Sequence, residues 1–329
     1  MRTKGTRLTF IVLLLTILFG CSESSDKPTR LPKSNSAPWE MLLVANKEWL
    51  KAADGEVLMQ AMQKEIPGLN QVEPSFKVMA INPAAFSKSF QGYASIVIAD
   101  FGSKYTKADM KMTRNVYAQP QIVLTITAPT GRELAQYAAD NASRIMQVFV
   151  EAELLAQQKE LLNHYSTQVL QQAKKQFGIE IYVPKDVNVI KKVGDDFFWA
   201  TSEEQENRMN ICIYSLPLAT SLSMSPVDLR DSVMQKNVRG YADNQYMATV
   251  DKVTMLTELE LGGQHITEMR GLWEMKNDMM GGSFISHTRI DSAANRLLVA
   301  EGFVYAPNKT KRKYIRSLEA ALRTLRTAK

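Results

Sequence analysis

The clearest structural pattern in this chain lies in Gly262-Gly-Gln-His-Ile-Thr-Glu-Met-Arg-Gly-Leu-Trp-Glu-Met-Lys-Asn-Asp-Met-Met-Gly-Gly282. Between the two glycine pairs, apolar and charged residues alternate, which is the two-residue period of a β-strand with two different faces. Each glycine pair predicts a two-residue hairpin turn, because glycine adopts positive φ without a steric penalty. The segment therefore predicts a long strand between two hairpins, inside an antiparallel sheet.

The two faces of this strand predict different environments. One face is mainly apolar and is assigned to the core: Met269, Gly271, Trp273, Met275, Asn277 and Met279. The other is charged: Glu268, Arg270, Glu274, Lys276 and Asp278. A solvated face with cross-strand ion pairs is the plainer interpretation of the charged side. The functional hypothesis is a groove wall that binds a polar ligand through four of these side chains, namely Arg270, Glu274, Lys276 and Asp278.

The segments that follow extend the same sheet and close it with a helix. Asp291–Asn295 predicts a third turn before a strand over Arg296–Tyr305. A helix from about Asn308 to Thr327 places one apolar stripe towards the core: Ile315, Leu318, Leu322 and Leu325. The basic residues of this helix favour a solvated face. Contact with anionic lipid head groups or glycans is the alternative.

Upstream, Trp39–Phe149 predicts a small α/β layer. Its strand candidates are nearly all apolar, as expected for a sheet covered on both faces: Met41–Ala45, Phe76–Ala80, Tyr93–Ala99 and Gln121–Thr127. A capping box at Thr130–Glu133 then opens a helical pattern that ends at Gly178. One straight helix of that length would approach about 70 Å, so we expect either a break near Asn163-His164 or a spine between two domains.

These segments predict an α+β protein, with a small α/β N-terminal domain, a long connecting helix, and a C-terminal antiparallel sheet packed by the last helix. The predicted boundaries are 1–20 for a signal peptide, 21–38 for a lipidated Cys and disordered tether, 39–150 for the first domain, 151–178 for the helix and 179–329 for the second domain.

The N-terminus predicts export and lipidation. Arg2, Lys4 and Arg7 form a positive head, and Leu8–Phe19 is an apolar run too short to span a bilayer. Gly20-Cys21 follows, which resembles the lipobox of bacterial lipoproteins and makes Cys21 the predicted lipidation site. Attachment by lipid alone at the cell envelope is therefore expected. The outer membrane is the expected location, and its periplasmic and surface faces both stay open.

Composition limits the chemistry. The formal net charge is +6, but the signal head supplies three of these charges, so the remainder carries +3 and gives no argument for nucleic acid. Besides Cys21 the chain has one thiol, Cys212, in an apolar segment that predicts a buried, inert side chain. The methionines near the long strand suggest copper only weakly, since core packing explains them: Met269, Met275, Met279 and Met280.

Catalytic motifs are absent from the sequence. The 3 His residues have no metal-ligand spacing, and the HExxH, GxSxG, GxxxxGK[ST] and GxGxxG patterns do not occur. The sequence therefore predicts no catalytic residue, no metal site and no cofactor.

Two motifs carry a resemblance to a known family: Gly271-Leu-Trp-Glu-Met-Lys-Asn-Asp-Met-Met-Gly-Gly282 and Glu301-Gly-Phe-Val-Tyr-Ala-Pro307. The chain resembles Bacteroidota lipoproteins catalogued only as a domain of unknown function, over nearly the whole mature length. The resemblance implies no activity, cofactor or catalytic residue. The second half is also similar in layout to PsbP/Mog1-like folds, and a shared layout does not specify function.

The function expected from the sequence is non-catalytic binding or scaffolding at the envelope. The expected partner is a membrane, through the N-terminal lipid, and the sequence leaves open an envelope protein or a glycan. The alternative is a hydrolase that uses a carboxylate such as Glu274 or Asp278 on an envelope substrate.

Overall fold

The computed structural model describes residues 30–204, 206–221 and 223–328. The predicted signal peptide, the lipidation site Cys21 and the tether as far as residue 29 lie outside the described residues. Residues from Pro32 onwards form one compact body. Within the described residues, no helix is both long and apolar enough to cross a membrane.

The first layer is a five-stranded sheet with helices around it. Its strand order is β2-β1-β3-β5-β4, in which only β4 is antiparallel. The strands are β1 (Glu40–Val44), β2 (Lys77–Ile81), β3 (Ser95–Phe101), β4 (Asp109–Arg114) and β5 (Ile122–Ala128). The helices are α1 (Lys47–Leu50), α2 (Ala53–Met62), α3 (Lys88–Gln91) and α4 (Gly131–Asp140).

Strand β1 shows why its sequence is apolar throughout. Met41 and Leu43 point into one core cluster, whereas Leu42 and Val44 point into another on the opposite face. The predicted sheet covered on both faces is therefore confirmed. Strand β4 was not predicted from the sequence. It is a polar, mostly exposed edge strand, so it lacks the apolar pattern that identifies a strand.

The end of the predicted tether differs from the expectation. The backbone N–H of Ser34 donates to the carbonyl of Gln119 at 3.2 Å, and the N–H of Gln119 donates to the carbonyl of Pro32 at 2.9 Å. The N–H of Asn35 donates to Gly92. Residues 32–35 are thus held along the first layer by backbone hydrogen bonds, which need no apolar side chains and leave no trace in composition.

The predicted helical pattern over 131–177 forms three helices rather than one continuous helix. Helix α4 is followed by α5 (Ala142–Leu161) and α6 (Thr167–Phe177). The break at 162–166 lies where Asn163-His164 predicted it. Thr130 caps α4 by accepting from the N–H of Glu133, and Gly178 ends α6 with φ of 66°, as the sequence indicated.

The second sheet has the order β10-β12-β13-β14-β9-β8-β7, with β11 also paired to β12. Its strands are β7 (Val187–Val193), β8 (Phe197–Ser202), β9 (Arg208–Pro217), β10 (Tyr246–Thr249), β11 (Met255–Leu261), β12 (Gln264–Lys276), β13 (Gly281–Asp291) and β14 (Arg296–Tyr305). A short strand, β6 (Ile179–Glu180), pairs with β15 (Arg326–Thr327). The helices are α7 (Leu218–Ser221), α8 (Pro226–Asn237) and α9 (Arg312–Leu322). The predicted meander is β11 to β14.

One of the two predicted glycine turns is wrong. Gly262 and Gly263 form the first turn with positive φ, but Gly281 and Gly282 lie inside β13. The second turn is formed by residues 276–279, and Asn277 takes the positive φ of 59°. Glycine is needed at 282 for another reason: a Cβ there would lie 2.0 Å from the carbonyl oxygen of Val304. Close backbone approach, rather than turn geometry, explains this residue.

Helices cover both faces of the second sheet. Trp273, Met269 and Phe284 form a core with α8 on one face. On the other face, Ile285 and Leu298 join α9 and the first layer in one continuous core. The predicted α+β class is confirmed, with a small α/β layer and a larger antiparallel sheet packed by the final helix. The predicted domain boundaries remain predictions.

Candidate functional site

The four side chains of the predicted polar groove do not form one site. Arg270 is 8% exposed beneath α9, whereas Glu274 and Lys276 form an exposed ion pair nearer the end of β12. Asp278 lies in the following turn and accepts from the N–H of Met279. The charged face of β12 is therefore buried at one end and open at the other, so the solvated-face interpretation is wrong for Arg270.

Arg270 belongs to a buried ion cluster between the sheet and α9. Its Nε lies 2.6 Å from Glu268 Oε1, and its Nη2 lies 2.6 Å from Glu319 Oε1. Arg316 contacts the other oxygen of Glu319 at 2.7 Å. Burial alone would raise the pKa of Glu319, but Arg270, Arg316 and Arg323 together hold it well below its usual value. Glu319 is therefore ionised.

Some basic residues of the last helix are buried instead of facing solvent, and Arg316 and Arg323 take part in this cluster. Arg316 and Arg323 bond acidic side chains, Glu319 and Glu151 respectively, and Lys311 is also buried. The predicted solvated face is wrong for these three residues. Lys309, Lys313 and Arg326 are exposed, so contact with lipid head groups or glycans stays a prediction for those residues.

His287 completes the cluster from β13. Its Nε2 lies 3.0 Å from Glu268 Oε2, while its Nδ1 is buried without a partner in the described residues. Burial lowers the pKa of His287, and Glu268 only partly opposes this. A neutral ring that donates from Nε2 satisfies both observations, so His287 helps to hold strands and helix together.

A second buried ion pair lies on the opposite face of the sheet. Arg230 of α8 donates from Nε and Nη2 to the two oxygens of Glu301, at 2.9 and 2.7 Å. Its Nη1 donates to Thr249 at 2.7 Å, and its guanidinium stacks 3.9 Å from the ring of Phe284. Burial lowers the pKa of Arg230, but Glu301 more than offsets that and raises it. The geometry is that of a charged, two-bond pair.

Sequence reasoning overlooked this pair. Arg230 lies in a polar helix whose burial the sequence does not reveal. Glu301 offered a signal, because it is the one charged residue between Arg296 and Tyr305 in an otherwise apolar strand. A lone carboxylate in a buried strand needs a cationic partner.

Beside this ion pair is a cavity of about 230 Å³ between α8 and the sheet. Its lining combines apolar and hydroxyl-bearing residues from the start of α8 and from β9, β12, β13 and β14: Tyr214, Met224, Pro226, Leu229, Arg230, His265, Thr267, Met269, Ser286, Thr288, Arg289, Ile290 and Leu297. Apart from Met269, which belonged to the copper alternative, none of these residues was predicted as part of a site.

The interior and the rim of this cavity differ in chemistry. Ser286 is 1% exposed, and neither its hydroxyl nor that of Thr288 has a hydrogen-bond partner in the described part of the chain. At the rim, His265 is exposed and lies 2.8 Å from Glu258 and 3.1 Å from Glu260. The interior thus offers apolar surface and two free hydroxyls, and titratable groups occur at the opening.

Arg289 lies next to the cavity, but its guanidinium is directed to the other face of the sheet. Its guanidinium donates to Gln264 and to the carbonyl of Leu325, and strand alternation places it on the α9 face, opposite the cavity. Burial lowers the pKa of Arg289 to about 10.

Metal and thiol chemistry find no support in the residues that the structure describes. No group of three or more His, Cys, Asp or Glu there is placed to hold a metal ion. The methionines of the copper alternative diverge, since Met269 and Met275 are buried and Met279 is fully exposed. Cys212 is buried, as predicted, and burial raises its pKa well above the usual value.

Sequence comparison matches each half of the chain to a family model of unknown function. Residues 166–324 match DUF4837, a domain of unknown function, and residues 34–162 match DUF8532, also a domain of unknown function. Two families of unknown function thus cover most of the chain. The resemblance to a domain of unknown function is confirmed to that extent, and the two matched regions meet at the break between α5 and α6.

Other comparisons add little. No curated protein matches the chain. Among solved structures, it is similar to the human StarD13 (DLC2) lipid transfer and protein localization domain, with 12% identity over 47% of this chain and 93% of that one. The TM-score is 0.22, and nothing is inferred from a likeness this low.

Proposed function

We propose that this chain is a non-catalytic binding protein of the cell envelope, anchored through lipid on Cys21, and that the cavity between α8 and the second sheet is its ligand site. The anchor is supported by the charged head, the short apolar run and the Gly20-Cys21 junction. The outer membrane and a Bacteroidota source belong to the same proposal.

The cavity is the observation that supports a binding function. It is concave, mostly apolar and furnished with a few hydroxyls, which is the usual composition of a small-molecule site. It is also unsuited to catalysis. A nucleophilic serine needs a base within hydrogen-bond reach, but His265 bonds Glu258 and Glu260 and makes no hydrogen bond to Ser286 or Thr288.

The hydrolase alternative has less support. Glu274 is paired with Lys276, and Asp278 accepts from the backbone of its own turn. Both lie at the exposed end of β12 rather than in the cavity. A catalytic carboxylate belongs in a desolvated cleft beside its substrate.

The test is binding of N-phenyl-1-naphthylamine, an uncharged dye that fluoresces in apolar surroundings. The sample is the mature chain, residues 21–329, carrying Cys21→Ser so that no detergent competes. We expect saturable binding that Leu297→Trp abolishes by filling the cavity. Ile190→Trp places the same ring on an exposed position of β7 and should leave binding unchanged. Absence of binding, or equal binding by both variants, would contradict the proposal.

A further inference from the structure

The charged groups around the cavity constrain the charge of its ligand. Two arginines line the cavity, and the one on the α8 side is Arg230, whose N–H groups are committed to Glu301, Thr249 and Met247. Asp231 adds a second carboxylate 3.5 Å from Nη1. An anionic ligand would therefore meet a cation that is already neutralised.

A charged ligand would also lose its hydration without replacement. Transfer of an unpaired charge into an apolar site is strongly unfavourable. The interior walls from Met224, Leu229, Met269 and Leu297 supply no counter-charge to either an anion or a cation. At the rim, His265 contacts the exposed carboxylates of Glu258 and Glu260, and water and salt screen charges at such an exposed position.

The free hydroxyls define where the ligand's polar group lies. Ser286 and Thr288 are two residues apart on one face of β13, which separates them by about 7 Å. An oxygen placed beside either residue can bond its hydroxyl, because a hydroxyl both donates and accepts. Resting on the proposed function, we infer that the cavity takes a small uncharged amphiphile, an alcohol or carbonyl compound with a short hydrocarbon body, whose oxygen bonds Ser286 or Thr288.

The volume limits the size of this ligand. A cavity of about 230 Å³ encloses on the order of eight non-hydrogen groups, at roughly 30 Å³ each, so the larger dye enters with one ring system and leaves the other at the open mouth. Eight-carbon chains are thus suitable probes. The set 1-octanol, octanoate and octylamine differs at pH 7 in the charge of the head group and keeps the body constant.

The experiment measures displacement of N-phenyl-1-naphthylamine from the mature chain by these three probes. We expect 1-octanol to compete at least about tenfold more strongly than either ion. Ser286→Ala or Thr288→Val should lower the affinity for 1-octanol by roughly two- to tenfold, which corresponds to the loss of one hydrogen bond. Ser283→Ala is the matched control, because Ser283 is equally buried in the same strand, on the other face of the sheet.

The outcomes separate this inference from the proposed function. Octanoate or octylamine competing as well as 1-octanol would overturn the neutral ligand and leave the cavity as a binding site. Unchanged 1-octanol binding in both Ser286→Ala and Thr288→Val would overturn the polar contact. Binding of the dye that Leu297→Trp does not affect would overturn the site itself. Circular dichroism of each variant checks that the fold persists.

Discussion

The carboxylate of Glu73 accepts a hydrogen bond from the backbone N–H of Lys311, with 2.6 Å between Oε1 and the nitrogen. Its second oxygen accepts from the N–H of Arg312 at 2.9 Å. The first turn of a helix leaves such N–H groups without partners inside the helix. Here an acceptor from the first layer, 238 positions earlier in the chain, supplies one. Helix α9 is thereby fixed to the first layer as well as to the second sheet.

We predict that Glu73→Ala destabilises the protein by about 2–3 kcal/mol, because it removes a charged acceptor and leaves two N–H groups unsatisfied at a buried helix end. Chemical denaturation measures this change. Glu65→Ala is the control, since Glu65 lies exposed in the same connection and should shift stability little. Equal effects from the two variants would show that the cap does not hold the layers together.

Substitutions at the buried and exposed ends of β12 should differ sharply in their effect on stability. Arg270→Ala leaves Glu268 and Glu319 buried without their shared cation and should cost roughly 3–5 kcal/mol. The double change Glu274→Ala with Asp278→Ala removes exposed charges and should cost at most about 1 kcal/mol. Urea midpoints of the two variants decide this. If the double change also abolished capture of an envelope partner, the open end of β12 would be a binding surface after all.

The inward face of the same strand is tested by Trp273→Ala. Trp273 is 2% exposed, packs 5.5 Å from the ring of Phe303 and donates to the carbonyl of Val304. Its removal should cost about 3–5 kcal/mol through a core cavity. Tyr241→Ala, at a fully exposed position, should be nearly neutral. A neutral Trp273→Ala would mean that the faces of β12 are assigned the wrong way round.

Glu153 of α5 predicts a pH-dependent stability. Burial raises its pKa to about 7, and bonds from Trp39 and Ser95 only partly oppose this. At low pH the carboxyl is protonated in both folded and unfolded chains. As pH rises from about 4.5 to 7, only the folded state keeps the proton, so stability should fall, by up to about 3 kcal/mol.

Glu153→Gln should remove this slope and make the protein more stable at pH 8, as measured by thermal unfolding across pH. Glu160→Gln, an exposed change in the same helix, should retain the slope. An unchanged slope in Glu153→Gln would assign the pH dependence to other groups.

Cys21→Ser tests the anchor. Without the thiol that carries the lipid, the protein should leave the membrane fraction or accumulate as an unprocessed precursor, which fractionation and immunoblotting detect. Cys212→Ala alters the other cysteine and should leave the protein on the membrane. Normal processing and membrane retention of Cys21→Ser would rule out the lipid anchor.

Local pattern was enough to predict part of this fold. The alternation in β12 placed Trp273 inward, Thr130 and Gly178 marked helix ends, and the apolar strands indicated a covered sheet. These inferences succeed because backbone period and cap chemistry depend on neighbours within a few residues. The turn at Gly281-Gly282 failed because glycine is also required where two backbones approach closely, and the approaching Val304 lies in another strand.

Tertiary structure alone decided what covers each face. Alternation separates Arg270 from Trp273, but it does not say that α9 arrives over Arg270 and leaves Glu274 in solvent. The cap from Glu73, the pairing of Arg230 with Glu301 and the cavity beside it all join residues far apart in the chain. Their chemistry follows from burial, and burial is set by the packing of whole elements, which no local window of sequence contains.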